Sequence, residues 1–251
     1  MKECIEYRLN QQLEKFANAI EYPLNQNTKK KCKFVSDGII DVKKYTKASP
    51  KILWILKEVN SANDDYNVES DVRTFITEIW DEENNKLWNR LNQTFAPIAY
   101  CTYGIFEKKK WDDLPDINGD AKKLLKHIPK IAFINVKKYA GRSVANKNEI
   151  QFFYNRYKDF LHEQIELINP DVIIFGGTFN FFDEIFFRSF GKKKQYISKK
   201  RHLQKYQYGN KLLLSTYHPG QTIINRKIYC SSIIGAVNRW LCNCDLSDLS
   251  K

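Results

Sequence analysis

Long apolar stretches are missing from this sequence. No run approaches the roughly 18 to 20 residues with which a helix crosses a membrane. The first residues, MKECIEYRLNQQLEKF, also lack the apolar core and small-residue cleavage pattern of a secretory signal peptide. Both absences argue against a membrane partner and predict a cytoplasmic protein.

Close pairs of metal ligands are also missing. The six cysteines are scattered, apart from the CNC near the end, and none forms a C-x-x-C pair. Structural zinc and iron–sulfur sites use such pairs, so we expect reduced thiols, no metal and no cofactor. Neither a G-x-G-x-x-G motif nor a P-loop occurs. The Gly176–Gly177 pair is a weaker phosphate-binding signal, and it is equally typical of glycines that pack a helix.

Acidic residues are comparatively few. Lysine and arginine outnumber aspartate and glutamate by 41 to 29, which gives a net charge of +12 and a pI of about 9.3. Such an excess suits an anionic partner, most often nucleic acid, although a lysine-rich solvated surface would produce it too. With 251 residues, 43% of them hydrophobic, the chain suffices for one core. We expect a monomer with a single domain over 1–251 and an N-terminal helical and loop extension at about 1–48.

Four short apolar segments alternate with helical patterns along the chain. The alternation predicts an α/β fold with three layers, α/β/α, around a central, mainly parallel, four-stranded sheet. Because each segment is apolar throughout, helices should cover both faces of the sheet. The four predicted strands are KILWILKEVN (51–60), KIAFINV (130–136), DVIIFGG (171–177) and KLLLSTYH (211–218).

Polar side chains follow the predicted strands where each one ends. In open α/β sheets the ligand binds outside the carboxyl ends of the strands, which brings Glu58, Asn135 and His218 to one crevice. A carboxylate there can orient water or stabilise a cation, an amide can read the edge of a base, and an imidazole can stabilise a developing oxyanion. Pro219 and Gly220 would turn the chain sharply beside the ligand. Taken singly, each of the three polar residues also has a structural explanation: a solvated strand end or a salt bridge for Glu58, a cap or a turn for Asn135, and a hydrogen-bonded strand-end histidine for His218.

The four segments resemble, in order, the motifs of the uracil-DNA glycosylase superfamily. WILKEVN is similar to the first motif, AFINVKKYAG to the second-strand motif, INPDVIIFGG to the third strand, and LSTYHPGQ to the His-Pro-Ser motif. Together they cover roughly a sixth of the chain, and their order carries more weight than any one of them. Val59 stands where the family has proline, Leu56-Lys57 replaces a glycine plus a polar residue, and Gly220 replaces serine.

The resemblance implies a uracil-DNA glycosylase-like fold and a hydrolase that cleaves the N-glycosidic bond of uracil, or of another deaminated or damaged base, flipped out of DNA in base excision repair. It makes Glu58 and His218 catalytic and lets Asn135 hold the base edge, with no metal. Asn60 lies near the position that excludes the methyl group of thymine. Phe75 is a candidate for the ring that stacks on the base, or else a core residue. The implied DNA contacts are Lys137, Lys138, Arg142, Pro219, Gly220, Gln221 and, as an apolar wedge, Ile223.

Two alternatives stay open at the level of sequence. One is a non-catalytic, nucleic-acid-binding relative of the same fold, which the changes around Glu58 favour. The other is an α/β enzyme that processes a nucleotide or nucleoside, in which Gly176 and Gly177 would hold phosphate at a helix N-terminus. The sequence leaves open which base would be excised and whether single- or double-stranded DNA is preferred.

Overall fold

A computed structural model of the chain describes residues 4–23, 31–60, 70–73, 80–81, 86–87, 93–141, 144–200 and 202–248. Within these ranges the chain forms one large sheet with helices on both faces. The strands of this sheet are β1 (Gly38–Ile39), β2 (Ile52–Leu56), β3 (Ile131–Asn135), β4 (Val172–Gly176), β5 (Lys193–Lys200), β6 (Leu203–Tyr208) and β7 (Lys211–Thr216).

The large sheet has the strand order β1-β3-β2-β4-β7-β6-β5. Its centre, β3-β2-β4-β7, is parallel throughout. Strand β1 joins one edge antiparallel, and the β5–β6 hairpin extends the other edge antiparallel. The α/β class and the parallel centre are therefore confirmed. The predicted number of four strands is wrong, because the large sheet has seven strands within the described residues.

Seven α-helices lie in the described ranges. They are α1 (Ile5–Ala19), α2 (Val42–Thr46), α3 (Phe95–Phe106), α4 (Ala121–Leu125), α5 (Lys147–Ile168), α6 (Glu184–Ser189) and α7 (Arg226–Asp248). Single 3-10 turns occupy Trp111–Asp113, Ile128–Lys130 and Phe179–Phe181. Two short strand pairs lie outside the large sheet: Val35–Ser36 with Ser70–Asp71, and Trp80–Asp81 with Lys86–Leu87.

Alternate residues of the central strands enter two separate cores. In β2, Ile52, Trp54 and Leu56 face the core that includes α3, α4 and α7. Leu53 and Ile55 face the opposite core, which includes α1, α5 and α6. All five positions of β2 are buried, as expected for a parallel strand covered on both faces. The helices and the sheet thus form three layers.

The N-terminal residues are part of this body. Phe16 of α1 is fully buried and stacks on Phe160 of α5, with ring centroids 5.1 Å apart. Strand β1 adds two residues to the edge of the large sheet. The described residues of the segment that we expected to be an extension, about 1–48, therefore contribute two helices, α1 and α2, and the edge strand β1 to the central fold.

Candidate functional site

The carboxyl ends of β2, β4 and β7 meet at one edge of the sheet. Gly177 follows β4 with a positive φ of 75°, a backbone conformation that favours glycine. A methyl group at this position would lie 3.6 Å from Cε of Lys57 and 3.5 Å from the backbone nitrogen of His218. Gly176 likewise lies directly against Leu56 and Pro219. Gly176 thus lets β2 and the loop after β7 approach each other, whereas Gly177 supplies the turn after β4. We call the space above these two glycines the crevice.

His218 is half-buried at the end of this crevice, and its protonation state follows from its contacts. Its Nδ1 accepts a hydrogen bond from the backbone N–H of Gly220 at 3.1 Å. Burial, and then the positive charge of Lys57, lower the pKa of His218 to about 4. The ring is therefore neutral at pH 7. Because Nδ1 accepts, the proton of the neutral ring is on Nε2, and no described residue accepts a hydrogen bond from it.

We predict that NMR of histidine-labelled protein shows His218 titrating near pH 4, as a neutral Nε2–H tautomer at pH 7. Lys57→Met should raise this pKa without restoring the ordinary value, since burial is the larger cause. The unfolded chain binds a proton between the ordinary value of about 6.5 and the folded value, so His218 makes stability fall as the pH drops through that window. A wild-type titration near the ordinary value would contradict this description.

The Pro219–Gly220 turn packs against the start of α3. Pro219 is buried. A methyl group at Gly220 would lie 2.9 Å from Oγ1 of Thr94 and 3.4 Å from Nδ1 of His218. Serine, the residue of the resembling family, would be crowded here by both neighbours. The close approach of α3 therefore gives a physical reason for glycine at this position.

Gln221 and Ile223 follow in the same loop. The Gln221 side chain accepts from the N–H of Ile224 at 2.8 Å and donates to the carbonyl of Ile224 at 3.0 Å. Ile223, between them, is 73% exposed. This loop therefore presents an apolar side chain to solvent on a closed backbone turn.

Glu58 lies in a buried ion pair. Its carboxylate contacts Nζ of Lys137, and the two side chains are 4% and 2% exposed. Lys137 also lies 3.3 Å from a carboxylate oxygen of Glu149. Burial raises the pKa of Glu58, and the hydrogen bond and charge of Lys137 oppose that effect. Gly141 lies directly against the carboxylate, so no larger residue fits there. The carboxylate is thus enclosed beside the crevice.

Asn135 ends β3 above a second buried pair. Its backbone N–H donates to Asp37 at 2.8 Å. The other carboxylate oxygen of Asp37 accepts from Lys138 at 2.5 Å and from Gln164 at 3.0 Å. Lys138 and Asp37 are fully buried. The Asn135 side chain is itself 2% exposed, and its Nδ2 has no hydrogen-bond partner among the described residues. A buried side-chain amide nitrogen without a hydrogen-bond partner is unusual, and such a group suits a ligand-binding role.

The two lysines that we expected to hold phosphates lie inside the protein. Lys137 pairs with Glu58, and Lys138 pairs with Asp37. A phosphate contact requires a cation at the surface, and neither ammonium is presented there. The expectation that Lys137 and Lys138 contact DNA phosphates is therefore corrected: both lysines neutralise buried carboxylates.

Three other residues were predicted to belong to the site: Asn60, Phe75 and Arg142. Asn60 is exposed, and its backbone forms a bridge with Gly141 beside Glu58. Phe75 and Arg142 lie outside the described residues. Of the predicted site, the structure thus brings His218, Pro219 and Gly220 together at the crevice, with Glu58 and Asn135 buried at its β3 side.

Two features of the site were not predicted from the sequence: a role for Lys57, and a cleft beside the loop that carries His218. Lys57 had been noted only as a departure from a motif, although a polar residue directly after a buried strand is a signal in itself. The cleft has a volume of about 220 Å³. Its lining includes Gln93, Pro97, Pro219, Gly220, Arg226 and Tyr229. It joins residues from two segments that are more than 100 positions apart in sequence, 93–97 and 219–229, so no local sequence pattern predicts it.

Comparison with known proteins does not place the chain in a family. No family model matches the chain, and no curated protein matches it significantly. In the described part of the chain, no helix has the length and apolar character needed to cross a membrane. The same residues contain no group of three or more His, Cys, Asp or Glu side chains arranged to hold a metal ion.

Proposed function

We propose that the protein is a DNA glycosylase with a uracil-DNA glycosylase-like fold, which hydrolyses the N-glycosidic bond of a base flipped out of DNA. One observation carries the proposal: His218 is a neutral imidazole whose Nδ1 is occupied by Gly220, so that Nε2–H points away as a donor. When a pyrimidine leaves its sugar, negative charge develops on its O2. A fixed neutral donor stabilises such an oxyanion without transferring a full proton.

The other residues of the crevice fit roles in the same reaction. The unpartnered Nδ2 of Asn135 would donate to a carbonyl of the base. The Glu58 carboxylate, desolvated next to Lys137, would balance the developing sugar cation once the substrate enters. Arg226 at the cleft and Lys147 at the start of α5 are exposed, and they take the place of Lys137 and Lys138 as phosphate contacts. Ile223 would be the apolar wedge in the DNA.

The direct test measures the release of free base from oligonucleotides. The purified protein is incubated with single- and double-stranded DNA containing uracil, hypoxanthine, xanthine or mismatched thymine, beside a Glu58→Gln variant. We expect release of at least one base by the wild type and a slower rate with Glu58→Gln. If the protein binds all of these substrates and releases no base, the glycosylase proposal fails.

The enclosure of Glu58 favours one second candidate, a non-catalytic DNA-binding relative. A carboxylate that is 4% exposed and paired with Lys137 would not reach a substrate unless the pair opens. This candidate predicts binding that weakens steeply with salt and no base release from any of the substrates above. The panel thus separates the two candidates.

A further inference from the structure

Lys57 is a half-buried lysine that faces the crevice. Its Cε lies 3.6 Å from the position that a methyl group on Gly177 would occupy. The positive charge of Lys57 also lowers the pKa of His218. Gly177 therefore lies next to both the Lys57 side chain and the His218 backbone, which places the lysine side chain at the crevice. The ammonium group is thus part of the proposed active site.

Lys57 also differs from the neighbouring lysines in its charge environment. Lys137 and Lys138 each contact a buried carboxylate, whereas Lys57 forms no ion pair with a described carboxylate. Burial, and then the positive charge of Lys147, lower the pKa of Lys57, while Glu58 opposes this effect. A lysine that is desolvated, near another cation and without a paired acid among the described residues has an increased fraction of the neutral, nucleophilic amine.

We propose that Lys57 is the nucleophile of a second activity, in which its amine forms a Schiff base with the aldehyde of an abasic deoxyribose and promotes cleavage of the DNA strand. The inference rests on the proposed glycosylase function, because hydrolysis of the glycosidic bond would leave this aldehyde in the crevice. The substrate class is therefore an abasic site in DNA.

The atoms and electrons of this reaction balance without an oxidant or reductant. The lone pair of Lys57 Nζ attacks C1′ of the ring-opened sugar, and water leaves as the protonated Schiff base forms with one proton from solvent, which the final hydrolysis returns. The iminium group acidifies C2′, whose proton passes to solvent water. The electron pair then expels the 3′ phosphate by breaking the C3′–O bond. Water finally adds to C1′ and releases the amine together with an unsaturated aldehyde.

The test uses the full-length protein and an oligonucleotide with a preformed abasic site, made by treating uracil-containing DNA with a separate, established glycosylase. Cyanoborohydride reduces a Schiff base to a stable amine, so a covalent protein–DNA adduct appears on a denaturing gel. Proteolysis and mass spectrometry of the wild-type adduct locate the modified lysine. Lys57→Arg keeps the charge but removes the amine, and Lys51→Arg, at the opposite end of β2, is the matched control.

We expect a wild-type adduct at Lys57, loss of the adduct in Lys57→Arg, and retention in Lys51→Arg. No wild-type adduct, an adduct that maps to another lysine, or equal trapping by Lys57→Arg would overturn the proposal. Base release from DNA containing uracil, hypoxanthine, xanthine or mismatched thymine is measured in parallel. Release without trapping would refute the role of Lys57 alone, and trapping without release of any base would refute the glycosylase function alone.

Discussion

Replacing His218 by alanine should slow base release by roughly two to three decades. Removal of one donor to a developing oxyanion typically costs about 2.7 to 4 kcal/mol of barrier, and each ~1.36 kcal/mol changes the rate tenfold. The loss should fall on the single-turnover rate rather than on DNA affinity, since the charge on the base develops only in the transition state. Single-turnover release from a uracil-containing oligonucleotide, with binding measured separately, gives both quantities.

His202→Ala is the matched control for this experiment. His202 lies between β5 and β6, beside the end of β7, and its imidazole bonds the hydroxyl of Ser232 on α7 at 2.9 Å, so this ring is engaged by the helix rather than by the crevice. Its removal should leave the single-turnover rate close to that of the wild type. If His218→Ala retained the wild-type rate, the imidazole would have no part in the chemistry and the site would have to be reassigned.

Asp37→Ala should destabilise the folded protein by about 3 to 5 kcal/mol, the usual cost of leaving one member of a buried ion pair without its partner. The substitution removes the carboxylate that accepts from Lys138 and Gln164 and from the backbone of Asn135. The Lys138 ammonium, with no exposed surface, would then be buried without a counter-charge. Urea denaturation at unchanged m value measures the loss.

Two further variants distinguish the ion pair from a simple loss of packing. Asp37→Leu combined with Lys138→Met removes both charges, and we expect it to be more stable than Asp37→Ala alone. Asp112→Ala breaks an exposed pair with Lys227 and should barely change the urea midpoint. Equal losses for the double variant and for Asp37→Ala would mean that burial of an unpaired charge is not the cause.

The central strands could be predicted closely because each is a continuous apolar run. Segments expected at 130–136 and 171–177 form strands at Ile131–Asn135 and Val172–Gly176. The edge strands offered no such signal. Strand β1 has two residues, one of them glycine, and β5 reads KKQYISKK, a lysine-rich segment that predicts a hairpin or a loop equally well. Pairing with a neighbour, rather than composition, places these strands in the sheet.

The site was predictable only as far as local rules extend. The rule that parallel strands end at one edge correctly brought His218 to the crevice. It could not show that Lys138 is buried, because its partner Asp37 lies 101 residues away in sequence. Two successive lysines after a strand are usually solvated, so Lys137 and Lys138 were expected at the surface. Their carboxylate partners, brought in by the tertiary fold, reverse that expectation.

The closed turn around Ile223 has a consequence for conformational entropy. Fixing the backbone of one residue costs roughly 1 to 2 kcal/mol, and a loop that orders only on binding must meet that cost at the moment of association. Gln221 fixes the turn in the free protein through both atoms of its side-chain amide. The ordering of this segment therefore takes place during folding, and whatever surface covers Ile223 meets an apolar group that is already in position.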